Sequence, residues 1–177
     1  LYICEKNFFR SGNKVFVFLN SLEKLNKLQK NYFLIYAGLK LAFFCGKGIY
    51  KIDFFGDSSL YQKNIYLGWY LSSYRFSKFK NKLEKIEKGF LEGKSKNEIE
   101  SVTSVYFFVR DLINMPANIL GPSEIYKSAI KFLRNHFSHR SVEGKKLKKG
   151  FPLISAVGQG ASNSKKPMFC EFISKAK

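Results

Sequence analysis

Ile99–Pro122 reads IESVTSVYFFVRDLINMPANILGP, and the segments on either side fall into place around it. Ile99, Val102, Tyr106, Val109, Leu112 and Ile113 recur at three- and four-residue steps, the period of an amphipathic helix with one apolar face. Asn114 suits the left-handed conformation that ends a helix, and Pro116 lacks the N–H that a continuing helix would use. Gly121-Pro122 then opens a second helix, with proline in the first turn, where no amide hydrogen is needed. Ile125, Ala129, Phe132 and Leu133 give that helix its apolar face. Arg110 and Asp111 are sequence neighbours that cannot share one helix face, so each is expected to pair elsewhere. Asn114 and Asn118 suit a cap and an Asx-turn. These polar residues are therefore read as scaffolding.

Towards the C-terminus, Leu153–Val157 and Met168–Ile173 are apolar enough for strands of a second sheet, with a glycine- and lysine-rich turn, Gly158–Pro167, between them. Towards the N-terminus, residues 78–97 are rich in Lys and Glu, contain Gly89 and Gly93, and read as a linker with some helical character. Before the linker, Lys14–Leu19 reads as a strand. Ser21 is placed to cap a short helix carrying Leu22, Leu25 and Leu28 on one face. Tyr32–Tyr36 reads as a buried strand, and Ala42–Cys45 and Ile49–Phe55 as two strands around the Gly46-Lys47-Gly48 turn. Tyr61, Ile65, Trp69 and Leu71 favour a helix from about Ser59 to Phe76 despite Gly68. Alternating strands and helices predict an α/β fold: a small mixed N-terminal domain over residues 1–77, a linker over 78–97, and the start of a second α/β domain over 98–177.

The 177 residues are 45% hydrophobic and 25% charged, so the chain can bury a core and does not read as disordered. A formal charge of +18 attracts polyanions and makes nucleic-acid binding a hypothesis to weigh. Arginine is restricted to Arg10, Arg75, Arg110, Arg134 and Arg140, and planar phosphate or guanine recognition favours Arg over the Lys that dominates here. Lys, Asn, Ile, Phe and Tyr are abundant together, as AT-rich codons dictate, which accounts for much of the charge without a ligand. Cys4, Cys45 and Cys170 form no C-x-x-C pair, which supports neither a disulfide framework nor a thiolate zinc site and fits a reduced, cytoplasmic setting. The most apolar stretch, Tyr32–Cys45, is interrupted by Lys40 and is shorter than the ~20 residues of a membrane helix.

Other constellations are weak. His136 and His139 have the spacing to share one helical turn, yet no H-E-x-x-H is formed and ordinary surface histidines are the expectation. Gly46-Lys47-Gly48 and Gly158-Gln159-Gly160 fit no complete phosphate-loop pattern and are read as tight turns. No nucleophile motif surrounds Ser155, Ser162 or Cys170. Lys145-Lys146-Leu147-Lys148-Lys149 is the densest basic run and reads first as a solvated short helix. Tyr74–Lys80 (YRFSKFK) interleaves aromatics with positive charge, as single-strand binding surfaces do.

Three segments resemble the leucyl aminopeptidase family of dinuclear-metal peptidases, in the right order. Leu67–Lys80 (LGWYLSSYRFSKFK) resembles the helix near the end of that family's N-terminal domain. Arg110–Pro122 (RDLINMPANILGP) resembles the segment that opens its peptidase domain, through Arg110, Asp111, Asn114, Pro116, Asn118, Gly121 and Pro122. Phe151–Ser162 (FPLISAVGQGAS) resembles the strand and loop that follow. The resemblance implies an N-terminal portion of such an enzyme, with the second domain the start of an α/β/α peptidase domain. Complete relatives would release N-terminal residues from peptides, using two divalent metals (manganese or zinc), in a cytoplasmic homo-hexamer. The metals polarise the peptide carbonyl and generate a hydroxide nucleophile, which demands clustered carboxylates. This sequence offers only Asp53, Asp57 and Asp111 as aspartates and lacks the family's later Asp-rich motifs. No catalytic or metal residue is therefore assigned, no cofactor is expected in these residues, and neither peptidase activity nor a membrane association is expected of them. A basic nucleic-acid-binding protein, or a non-catalytic partner docking on a full-length homologue through an open sheet edge, are the alternatives.

Overall fold

The computed structural model describes residues 2–5, 8–17, 22, 24–54, 59–80, 89–91, 96–133 and 136–175. The chain divides into two compact units, Leu1–Phe107 and Phe108–Lys177. The α/β class expected from the alternating pattern is the class observed.

The first unit is a five-stranded sheet with strands in chain order: β1 (Tyr2–Glu5), β2 (Phe8–Ser11), β3 (Lys14–Val17), β4 (Gly48–Phe54) and β5 (Gly89–Leu91). The first three strands are antiparallel neighbours, and Gly12, at φ +58°, makes the tight Gly12-Asn13 turn between β2 and β3. The parallel pairs β3–β4 and β4–β5 need long crossovers, which two helices supply: α1 (Lys27–Cys45) and α2 (Ser59–Leu71). Sidedness follows the two-residue period of a strand. Val15, Tyr50 and Ile52 turn into the core, whereas Lys14, Ile49 and Lys51 are exposed. The inward residues pack with Leu22, Leu34, Leu41, Cys45, Ile65, Tyr66, Trp69 and Ile99.

α1 corrects the strands expected at Tyr32–Tyr36 and Ala42–Cys45. Its buried residues, Leu34, Ala37, Gly38, Leu41 and Cys45, lie on a helical stripe, and Asn26 and Gln29 cap it reciprocally, each backbone N–H donating to the other's side chain at 2.9–3.0 Å. Leu28, Tyr32, Tyr36 and Phe43 stay exposed on the opposite side, so the segment is apolar all round and its period is masked. Of the short helix expected after Ser21, Leu22 is described, in a 3-10 turn. Leu22 is buried and forms a turn with Leu25, whereas Leu28 belongs to α1 and is 78% exposed. Ser21 lies outside the described residues. Gly46–Gly48 connects helix to strand, not strand to strand.

Gly38 and Gly68 set the crossing of α1 over α2. A Cβ on Gly38 would run into the Ile65 carbonyl, and one on Gly68 into the Ile35 carbonyl, so the two backbones touch where each helix has no side chain. Asn64 Nδ2 donates to Asn31 Oδ1 across the same interface at 2.9 Å. Arg10 Nη1 and the Tyr50 hydroxyl both donate to the Cys45 carbonyl, and the guanidinium lies 5.0 Å over the Tyr50 ring. Within residues 78–97, β5 extends the sheet by parallel pairing of Gly48–Tyr50 with Gly89–Leu91, so those three residues are strand, not helix.

Helix α3 (Lys96–Ile113) forms as its periodicity predicts and contributes residues to both units. In the first unit, the buried Thr103 hydroxyl donates to the Ile99 carbonyl at 2.6 Å, and Tyr74 packs on Phe107. The second unit contains α4 (Pro122–Leu133), β6 (Phe137–Glu143), α5 (Gly144–Gly150), α6 (Pro152–Val157) and β7 (Met168–Ser174). β6 and β7 form an antiparallel pair from Phe137↔Ser174 to Glu143↔Met168, with Arg140 and Glu171 directly opposite and ion-paired at 2.6 Å. α6 corrects the strand expected at Leu153–Val157: Pro152 opens a helical turn, and Leu153 and Val157 are 81% and 88% exposed. Two stacked ring pairs, Phe108–Phe132 and Phe151–Phe169, lie in this unit, and Leu147 is its buried aliphatic residue among those described.

Candidate functional site

The second and third of the three segments singled out in the sequence converge in the second unit. Pro122, Leu153, Ile154, Val157, Gly158, Pro167 and Met168 line an open apolar cleft of about 450 Å³. Gly158 belongs here because Pro167 occupies the space that a Cβ would need. The lining offers no ionisable side chain, so the cleft can receive an apolar group and cannot itself move a proton.

Beside it stands a polar latch on the first turn of α4. Gly121 N–H donates to Glu124 Oε2 at 2.9 Å, the pairing of a helix-capping carboxylate with the backbone three residues before it. Lys165 Nζ reaches the same oxygen and the Ile119 carbonyl, both at 3.2 Å. A hydrogen bond from Lys165, followed by those from the backbone, holds the Glu124 carboxyl below its ordinary range. Gly121 is buried against the Lys165 stem, which would collide with a larger residue. Glu124 and Lys165 escaped the sequence reading. The Gly-x-x-Glu spacing was a signal for the first, and nothing local marks the second, 41 residues away.

The remaining scaffold residues form the connection between α3 and α4. Arg110 and Asp111 sit in the last turn of α3, where the Arg110 carbonyl accepts from Asn114 N–H at 3.0 Å. Pro116 follows, and its carbonyl accepts from both Ile119 and Leu120 at 2.9 Å; the exposed Asn118 lies inside that turn. Gly121 and Pro122 then start α4.

His136 and His139 do not share a helical turn. His139 stands in β6, its Nδ1 2.8 Å from the Tyr126 hydroxyl, while His136 precedes the strand and accepts from Lys175 N–H through its carbonyl. Asp53 stands in β4, Asp111 in α3, and Asp57 lies outside the described residues. Among the described residues no three His, Cys, Asp or Glu side chains gather closely enough to hold a metal ion. The described residues thus do not bring together the several bridging carboxylates that a dinuclear metal centre needs. Among the described residues, too, no helix is long and apolar enough to cross a membrane.

No protein-family model matches the chain. The probable cytosol aminopeptidase of Rickettsia felis is 27% identical over 147 residues, which cover 75% of this chain and 29% of that protein. The crystal structure of cytosol aminopeptidase from Coxiella burnetii superposes with a TM-score of 0.65 over 81% of this chain and 31% of its own, at 24% identity. The bottromycin maturation enzyme BotP, solved in complex with Mn, superposes with a TM-score of 0.60 over 81% of this chain and 33% of its own, at 18% identity. The chain spans less than a third of the length of the curated relative and the first of these structures. In sequence and in fold, it resembles the leucyl aminopeptidase family over that share of the enzyme.

Proposed function

We propose that these residues are the N-terminal portion of a leucyl-aminopeptidase-like metallopeptidase: an α/β domain over residues 1–77, a connecting seam over 78–97 that includes β5, and the beginning of the peptidase domain from 98 onward. Arg110, Asp111, Asn114, Pro116, Asn118, Gly121 and Pro122 serve as scaffold, building the α3–α4 connection and setting Pro122 at the rim of the apolar cleft. The superposition of four fifths of the chain on a cytosol aminopeptidase carries this reading.

In this reading the metal-binding carboxylates and the reacting groups lie outside these 177 residues. The polypeptide alone neither holds the metal pair nor hydrolyses peptides, and a complete protein would act on peptide N-termini in the cytoplasm as an oligomer. The residues here organise the fold on which such a site rests. A chimera tests the assignment: these residues replace the matched segment of the Rickettsia felis protein, and release of leucine from a peptide is followed with manganese added. A soluble chimera that turns over substrate is expected. A soluble, folded chimera without turnover contradicts the reading.

A further inference from the structure

We propose that the outward face of α1 is a docking groove for an amphipathic helix of another protein, one whose apolar ridge is flanked by acidic residues. Leu25, Leu28, Gln29, Tyr32, Phe33 and Tyr36 line an open, almost wholly apolar groove of about 540 Å³. Its construction is regular. Leu28, Tyr32 and Tyr36 form a row of side chains at four-residue steps along α1. Leu25, just ahead of the helix, Gln29 and Phe33 form the row beside it. A depression between two such rows is the seat that ridge-into-groove packing gives a second helix, crossing at about −50°. The rows run for about 12 Å, roughly two helical turns.

The core does not account for these side chains, because α1 buries a different stripe. Leu28 and Tyr32 are 78% and 76% exposed, and Tyr36 and Phe43 continue the exposed strip along the helix. A contiguous strip of leucine and aromatic rings facing water marks a contact surface.

Charge selects the occupant. α1 contains neither Asp nor Glu. Lys24 and Lys27 are exposed at one end of the strip, and Lys40 towards the other, 5.6 Å over the Tyr36 ring. Among the described residues no carboxylate pairs with these three lysines. Lys27 opens the helix, where the macrodipole disfavours a cation, and the first turn holds no acid. Acidic side chains on the partner, set beside the groove, would offset both. A second copy of the chain would bring the same lysines against these and repel. An anionic bilayer matches the charge, but a recess between two ordered rows fits side chains at fixed spacing, which acyl chains do not offer.

The probe is a fluorescein-labelled peptide with leucines at three- and four-residue steps, glutamates on either side of them and alanine elsewhere. It is titrated with the 177-residue chain and followed by anisotropy. Saturable binding in the micromolar range is expected. Leu28→Ala with Tyr32→Ala should weaken it about tenfold or more. Lys24→Gln, Lys27→Gln and Lys40→Gln together should weaken it about threefold or more and lessen its dependence on salt. Tyr32→Phe keeps the ring and should bind like the parent, which separates a lost contact from a lost fold. Leu153→Ala with Val157→Ala, at exposed apolar residues of the second unit, should leave affinity within about twofold. Absence of saturable binding by the parent overturns the proposal, as does equal binding of a peptide with lysines in place of the glutamates. So do an equal loss in the Leu153 and Val157 variant, and binding to phosphatidylserine vesicles or self-association through Leu28 and Tyr32 in place of peptide binding.

Discussion

Cys45 ends α1 inside the core, where burial pushes its thiol up to about 11 and the nearby Arg10 guanidinium pulls partly back. Its thiolate is disfavoured in the folded chain relative to the unfolded one, whose thiol ionises near 9.0. The stabilising contribution is therefore complete below about pH 9, where both states hold the proton. It drains away as pH rises towards 11, where the unfolded state has released its proton and the folded state resists doing so. The loss across that window is on the order of 2 kcal/mol. Urea unfolding should show the parent losing stability relative to Cys45→Ala between these pH values; parallel curves for the two proteins would contradict the burial argument. Tyr50 reinforces the arrangement, because its hydroxyl donates to the carbonyl of the same cysteine, and its own ionisation is pushed up first by burial.

At the scale of elements, the contact of α1 with α2 depends on two glycines that carry no side chain to give way. Gly38→Ala and Gly68→Ala should each destabilise the chain by about 3 kcal/mol or more, because a backbone carbonyl, not a flexible side-chain end, meets the new methyl group. Gly150→Ala, at a glycine with nothing within 4 Å, should stay within about 0.5 kcal/mol. Equal effects at the three sites in a denaturant series would refute the close-crossing account. The same pair of helices shows what sequence pattern could and could not reveal. α3 and α4 were legible because each has one apolar face and a proline or glycine at the boundary. α1 reads as strands in the sequence because Leu28, Tyr32, Tyr36 and Phe43 put apolar residues on its exposed side as well, hiding the stripe of Leu34, Gly38, Leu41 and Cys45. The reciprocal Asn26–Gln29 cap was the overlooked local signal. α6 is too short to show a period, although Pro152 marks its start. In the candidate site, the α3–α4 connection could be read from Asn114, Pro116 and Gly121-Pro122. The partnership of Glu124 with Lys165 could not, because it depends on a long-range approach.

At the scale of the whole molecule, resemblance in sequence and in fold points to the same family, and the chemistry of that family sets a demand that the described residues do not meet. Two dications held side by side repel each other unless several carboxylate oxygens surround and bridge them. The aspartates of this chain are dispersed along it, and its carboxylate latch at Glu124 is already neutralised by Lys165. In the proposed reading the polypeptide is accordingly a scaffold, and among the described residues no three potential metal ligands gather. Metal content of the purified 177-residue chain after incubation with manganese and zinc, followed by gel filtration, measures this directly. The account predicts far less than one ion per chain; two ions retained per chain through the column would contradict it.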